Sequence, residues 1–117
     1  MIIYVYSKCS TCQKALSFLT QKKIAFTRRE ITETPPSLQE LQTMLDYKEG
    51  DIKKLFNSSG QLYREWQLSE KLKSLSSDEA LTLLSQHGML VKRPFLLGEG
   101  IGLTGFNEKE WESLVDL

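Results

Sequence analysis

The stretch Ser7-Lys8-Cys9-Ser10-Thr11-Cys12-Gln13-Lys14 decides how the fold of this chain is interpreted. It contains both cysteines of the 117 residues, with two residues between them, after the apolar run of residues 2–6 and before a segment of helical periodicity. The start of a helix stabilises a thiolate, because its first backbone N–H groups are unpaired and the helix dipole is positive there. A strand, a Cys-x-x-Cys motif and a helix in that order therefore predict thiol chemistry.

The flanking residues predict a parallel pair of strands joined by a helix. Residues 2–6 are β-branched or aromatic, which is typical of a strand buried on both faces. The helix is expected over about residues 11–22, with Cys12 on its inward face. Cys9 would precede the helix and stay more accessible, as a nucleophile with a resolving partner requires. Residues 24–31 are predicted as the second strand, reached by a right-handed crossover.

A block of short helices is predicted from about residue 35 to residue 87, after a pair of prolines. Two capping boxes, each a serine followed three residues later by a glutamate, begin helices within it at Ser37 and Ser76. The block is too small to hold an independent core comfortably. We therefore expect an insertion into a single domain that spans residues 1–117.

The C-terminal part of the chain is predicted to return to the sheet. Residues 92–97 form a short strand that begins at a proline, and the glycine-rich residues 98–102 mark a hairpin turn into a further strand. A third capping box, Asn107 with Glu110, begins a final helix over residues 108–115. The predicted fold is α/β, with the order β-α-β, the inserted helical block, and β-β-α.

Composition and charge exclude several classes of partner. The chain has 15 basic and 15 acidic residues, so no overall charge attracts it to nucleic acid or to an anionic membrane. No apolar run is long enough to span a membrane, and residues 1–6 are too short for a signal peptide. Two cysteines this close in sequence would close no useful loop, so a reducing cytoplasm fits better than an exported, disulfide-stabilised protein.

Two other interpretations of the cysteines remain open at this point. Both could be small core residues without chemistry, although their spacing and position favour a redox role. A closed zinc site needs four ligands, and the chain offers only the two cysteines and His87, so no metal is predicted. We expect His87, just before a glycine, to lie at the C-terminal cap of a helix.

Two further stretches, combined with the cysteine motif and the helical insertion, resemble a known family. They are Asn57-Ser58-Ser59-Gly60-Gln61-Leu62-Tyr63-Arg64 and Gly88-Met89-Leu90-Val91-Lys92-Arg93-Pro94. The whole chain is similar to the ArsC/Spx family of arsenate reductases and related redox regulators, which have the thioredoxin-like fold. The resemblance implies that Cys9 is the nucleophile and that Arg93 borders the active site. It also implies a cis peptide bond at Pro94, beside an extended edge on which a peptide or glutathione could lie.

The chain departs from the arsenate reductases of this family in ways that weaken an arsenate-reducing role. Those enzymes have one cysteine in the motif, use glutathione with glutaredoxin, and gather three arginines around the arsenate. This chain has Cys12 at a position where those enzymes have a residue without a thiol. The second arginine would correspond to Lys53 or Lys54 and the third to Gly105 or Phe106. Lysine offers only a point charge, and the other two residues none, so the fork that holds an oxyanion is lost.

The second cysteine increases the similarity to the Spx-type regulators. These carry a Cys-x-x-Cys disulfide switch and bind the C-terminal domain of the RNA polymerase α subunit. A glycine in their helical insertion lies at that contact, and Gly50 could correspond to it. The chain ends at Leu117 without the further segment of those regulators, which favours the enzyme. Direct contact with nucleic acid or membrane is not expected.

The first hypothesis is therefore an arsenate reductase-related thiol–disulfide oxidoreductase that acts on a thiol or disulfide substrate or on glutathione. It needs no resident cofactor, and glutathione or a thioredoxin or glutaredoxin system would be its reductant. The alternative is a redox-sensing transcriptional regulator. The predicted catalytic residues are Cys9, Cys12 and Arg93, and the predicted substrate-binding residues are Thr11, Pro94 and Lys53.

Overall fold

A four-stranded mixed sheet forms the centre of the computed structural model, which describes residues 1–115. The strands, in the spatial order β2-β1-β3-β4, are Ile2–Val5 (β1), Thr27–Glu30 (β2), Phe95–Gly98 (β3) and Ile101–Thr104 (β4). The first two strands are parallel, and β3 is antiparallel to both β1 and β4. All the predicted strands form, with β1 in the interior of the sheet.

Helices connect and cover the strands in the predicted order. The α-helices are Ser10–Gln21 (α1), Leu38–Tyr47 (α2), Gln61–Glu65 (α3), Leu68–Lys71 (α4), Ser77–Gln86 (α5) and Glu108–Trp111 (α6). Short 3₁₀ helices occur at Ile52–Leu55, Gly88–Leu90 and Glu112–Leu114. Among residues 1–115, no helix combines the length and the apolar character needed to cross a membrane.

The alternating side chains of β1 contribute to two separate cores. Ile3 and Val5 are fully buried in a core with α1, α6 and Cys12. Tyr4 points to the opposite face, into the core formed with the helical block. Its hydroxyl donates to Glu40 Oε1 (2.7 Å) and accepts from Arg29 (2.9 Å), so the polar end of this buried ring is satisfied. The sheet is therefore covered on both faces, as the apolar sequence of β1 predicted.

Local signals set several boundaries as predicted. Both serine capping boxes form completely, at the starts of α2 and α5. His87 is the C-terminal cap residue of α5, and its ring packs edge-on against Trp66 at 4.8 Å between centroids. Gly100, with φ of +76°, supplies the left-handed conformation in the turn between β3 and β4.

Three predicted boundaries were wrong, the first two because a backbone group bonds elsewhere. The strand predicted over residues 24–31 begins only at Thr27, because Lys23 adopts φ of 57° and closes α1 with a Schellman motif (Ile24 N–H to the Leu19 carbonyl, 3.0 Å). The strand predicted over residues 92–97 begins only at Phe95, because the Lys92 N–H donates to the Leu55 carbonyl, outside the sheet.

The third boundary error concerns the last helix. Asn107 accepts from the Glu110 N–H, but the reciprocal bond of a capping box is not among the contacts of the described residues. The helix predicted over residues 108–115 is α-helical only to Trp111 and continues as a 3₁₀ helix to Leu114.

Candidate active site

Cys9 lies at the N-terminal cap of α1, in extended conformation and half-buried. Its backbone N–H donates to the Tyr6 carbonyl (3.0 Å), which fixes the turn between β1 and the helix. Partial burial acts to raise the pKa of the Cys9 thiol. Hydrogen bonds from the backbone N–H groups of Cys12 and Thr11 and from the Cys12 thiol, together with the charge of Arg93, outweigh it and hold that pKa below its ordinary value.

Cys12 is fully buried one turn further along α1. Burial, reinforced by the hydrogen bond to Cys9 and by its charge, raises the pKa of the Cys12 thiol to about 12, although the Tyr6 N–H and Arg93 act in the opposite direction. The Tyr6 N–H lies 3.5 Å from the Cys12 sulfur. The two thiols thus differ sharply in acidity, and both are free cysteines in this structure.

The sheet register brings Arg93 beside the cysteine pair. Tyr4 of β1 aligns with Phe95 of β3 in an antiparallel pair, so the residues that precede Phe95 run alongside Val5 and Tyr6, next to the motif. The Arg93–Pro94 peptide bond is cis, as the resemblance implied. The Pro94 carbonyl accepts from the Gly105 N–H (2.9 Å), which anchors this edge to the segment after β4.

Tyr6 holds the Arg93 guanidinium in place. The guanidinium carbon lies 5.0 Å from the centroid of the Tyr6 ring, and one of its N–H groups donates to the Met89 carbonyl (3.2 Å). The sequence did not point to Tyr6 or Met89 as site residues. Tyr6 could have been predicted, because it is an aromatic residue that directly precedes the cysteine motif. The role of Met89 could not, because a contact made by a backbone carbonyl leaves no signal in the sequence.

Of the other two predicted substrate-binding residues, Thr11 lies at the thiol site and Lys53 lies away from it. Thr11 contributes its backbone N–H to the Cys9 sulfur. Lys53 lies in the 3₁₀ helix Ile52–Leu55 and lines a different groove, to which neither cysteine nor Arg93 contributes. Its role in substrate binding stays a prediction. No group of three metal-binding side chains occurs among residues 1–115.

Comparison with known proteins places the chain in a family. The model of the ArsC family matches residues 4–114. An uncharacterized Bacillus subtilis protein, YusI, is 43% identical over 96% of this chain and 95% of its own length. The global transcriptional regulator Spx 2 of Bacillus cereus is 26% identical over 94% of this chain and 82% of its own length.

Solved structures of similar proteins agree with that assignment. An ArsC family related protein of Bacteroides fragilis superimposes with a TM-score of 0.91 at 40% identity, covering 97% of this chain and 95% of that one. A Streptococcus mutans structure described as a possible arsenate reductase has a TM-score of 0.86 at 37% identity, covering 95% and 96%. These matches confirm the thioredoxin-like α/β fold, and the chain belongs to the ArsC family.

Proposed function

We propose that this protein is a thiol–disulfide oxidoreductase of the arsenate reductase-related type, with Cys9 as nucleophile and Cys12 as resolving thiol. The observation that supports it best is the half-buried Cys9 at the N-terminal cap of α1 with the fully buried Cys12 one turn on, an arrangement that lowers the pKa of the first thiol and raises that of the second. A pair in which one thiol ionises readily and the other does not is suited to attack in sequence. The spacing keeps both sulfurs on one turn of α1, within reach of each other.

The reaction consists of two exchanges. The Cys9 thiolate attacks one sulfur of a substrate disulfide, so that a Cys9–substrate disulfide forms and the other half of the substrate leaves as a thiolate, which takes a proton from solvent. Cys12 then loses its proton to solvent and attacks the Cys9 sulfur. The intramolecular disulfide forms and the second substrate thiolate leaves. Two electrons have passed from the protein to the substrate.

The environment of Cys12 explains the order of the two steps. After burial, the hydrogen bond to Cys9 and the negative charge there are what raise the Cys12 pKa. When Cys9 enters a mixed disulfide, that charge disappears, and the Tyr6 N–H and Arg93 remain to stabilise a Cys12 thiolate. Burial still raises the Cys12 pKa in the intermediate, but the Cys12 thiol ionises more readily there than in the fully reduced protein, so its attack follows that of Cys9.

A disulfide suits this site better than arsenate. Arg93 is the arginine that acts on the two thiols, and part of its hydrogen-bonding capacity is taken by the Met89 carbonyl. An oxyanion would lack the several planar forks that bind it by two bonds each. We propose glutathione, or a thioredoxin or glutaredoxin system, as the reductant that restores the two thiols in a reducing cytoplasm.

Trapping tests the proposal directly. A Cys12→Ser variant incubated with glutathione disulfide should accumulate one glutathione on Cys9, as measured by intact-protein and peptide mass spectrometry, because the resolving thiol is missing. The wild-type protein should instead accumulate the Cys9–Cys12 disulfide. Cys9→Ser is the matched control and should form no adduct, since Cys12 is buried. Equal modification of both single-cysteine variants would contradict the assignment of roles.

A second candidate function is redox-dependent binding to RNA polymerase. The similarity to Spx 2 favours it. Gly50, which could correspond to a glycine of those regulators, lies exposed in the turn after α2 with φ of +83°. In the Spx-type regulators that the chain resembles, a glycine in this insertion lies at the contact with the α subunit. Titration of the α C-terminal domain into the reduced and the oxidised protein tests this function, and no binding in either state would contradict it.

A further inference from the structure

A basic groove lies apart from the thiol site, beside the 3₁₀ helix Ile52–Leu55. Its volume is about 270 Å³. Neither cysteine nor Arg93 lines it. The charged and hydroxyl side chains that decide its character are Lys48, Lys53, Lys54, Lys92, Ser58 and Glu110.

The charge of this groove is not balanced by the protein. The chain as a whole has no net charge, yet four lysines and a single glutamate meet here. Within residues 1–115, none of the four ammonium groups forms an ion pair with a carboxylate. Lys48 and Lys92 are half-buried, so part of their hydration is lost without a counter-charge to replace it. A bound anion would supply that counter-charge.

The walls of the groove are fixed by the fold. The Lys48 ammonium donates to the Gly102 carbonyl (3.2 Å), which directs it toward β4. The Thr104 hydroxyl donates to the Lys54 carbonyl (3.0 Å), which ties the 3₁₀ helix to the end of β4. A Cβ at residue 105 would lie 3.1 Å from Lys92 Cε, so the glycine there leaves room for this side chain. The fold therefore places Lys48, Lys92 and the backbone of Lys54 around one space before any ligand arrives.

The donors favour a phosphate over a carboxylate. Lysine binds phosphate as a point charge with rotatable donors, and several lysines around one centre can donate to a tetrahedral oxyanion from different sides, whereas a carboxylate offers its acceptors in one plane. The exposed Ser58 hydroxyl also lines the groove and can donate as well. The small volume fits a compact anion and not a helix or a folded partner.

We propose that this lysine groove binds a small phosphate-bearing anion. The site is independent of the proposed redox reaction, because none of the residues that would bind the anion acts on the thiols.

Inorganic pyrophosphate is the probe for the test. In low-salt buffer it should bind saturably by calorimetry and shift the amide NMR signals around the groove, and added sodium chloride should weaken it. Lys92→Ala should weaken binding about tenfold, because a half-buried charge is lost, and Lys53→Ala about threefold, because that lysine is exposed. Lys53→Ala removes only an exposed side chain and guards against a folding artefact in the other variant.

Three controls make the result decisive. Lys71→Ala removes the same charge from an exposed position on α4 and should leave binding unchanged. Cys9→Ser should also leave it unchanged. Citrate in place of pyrophosphate should bind more weakly. No saturable binding, equal weakening by Lys71→Ala, loss of binding in Cys9→Ser, or stronger binding of citrate would each overturn the proposal.

Discussion

Gly88 is the position where a single added methyl group should perturb the molecule most. It begins the 3₁₀ helix Gly88–Leu90, and a Cβ placed on it would lie 2.1 Å from the Ile31 carbonyl oxygen and 3.1 Å from its carbon. Contacts of a Cβ under 3.0 Å essentially never occur, so the backbones must separate by nearly an ångström. Neither can move easily, because the Ile31 N–H donates to the Val5 carbonyl (2.8 Å) at the end of β1, and the Leu90 carbonyl, in the turn that Gly88 begins, accepts from the Asn57 N–H (2.8 Å).

The expected cost follows from the nature of the clash. Overpacking a core by flexible side-chain contacts costs about 1–3 kcal/mol. Here the obstacle is a backbone carbonyl, so we expect Gly88→Ala to lower the free energy of unfolding by about 3 kcal/mol or more. For a chain of this length, that loss corresponds to a decrease in Tm of about 10 °C or more.

Urea unfolding followed by far-UV circular dichroism measures the effect, with Gly100→Ala as the matched control. Gly100 has nothing within 4 Å of an added Cβ, so its substitution should cost only the left-handed backbone term, about 1–2 kcal/mol. Gly88→Ala should also displace the neighbouring Met89 carbonyl, which accepts a hydrogen bond from Arg93. Because the charge of Arg93 helps to keep the Cys9 pKa low, labelling of Cys9 should be slower in the folded variant. If Gly88→Ala costs no more than Gly100→Ala, the clash reasoning is refuted.

Three further predictions concern the thiols and their support. Under reducing conditions, the free energy of unfolding should fall as pH rises above about 9, by at most about 1.4 kcal/mol per pH unit. The reason is that the Cys12 thiol loses its proton at a lower pH in the unfolded chain than in the folded one. Cys12→Ala should flatten this slope in urea titrations. Tyr6→Leu, with the ring under Arg93 removed, should raise the pKa of Cys9 and slow its iodoacetamide labelling at pH 7 by about two- to fivefold; an unchanged pH profile would contradict this role. Trp111→Phe removes an indole N–H that donates to the Gly105 carbonyl after β4 (3.0 Å). It should lower the free energy of unfolding by about 1–3 kcal/mol in the same urea assay, and a loss below about 0.5 kcal/mol would contradict the importance of this bond.

The parts of this structure that sequence alone predicted are governed by nearby residues. The capping boxes at Ser37 and Ser76 act within four residues, and α1, predicted over about residues 11–22 from its apolar periodicity, forms over Ser10–Gln21. β1 was predicted as an interior strand because an uninterrupted apolar run can be buried only on two faces. Each of these signals depends on short-range geometry that the chain carries wherever it folds.

The errors arise where a local pattern competes with a distant partner. Residues 91 and 92 have the sequence of a strand, but their backbone groups pair with Phe56 and Leu55 of the helical block, so β3 starts later. A distant packing partner also decides where a side chain lies: Lys53, predicted to bind substrate, lines the lysine groove in the structure, and its role stays a prediction. Sequence patterns indicate which element a residue belongs to, and only the packed chain determines which neighbour it meets.

The candidate functions share the chemistry of Cys9 and Cys12, so experiments on the thiols alone cannot separate an oxidoreductase from a redox-sensing regulator. Both require a nucleophilic thiol at the start of α1 and a buried partner that closes the disulfide. They differ in what the disulfide changes: an enzyme must release a reduced substrate, whereas a regulator must change a binding surface away from the sulfurs. The turn at Gly50 lies on the helical insertion, and β1 and α1 carry the motif. Dependence of partner binding on Gly50 and of thiol exchange on Arg93 would therefore report separately on the two functions.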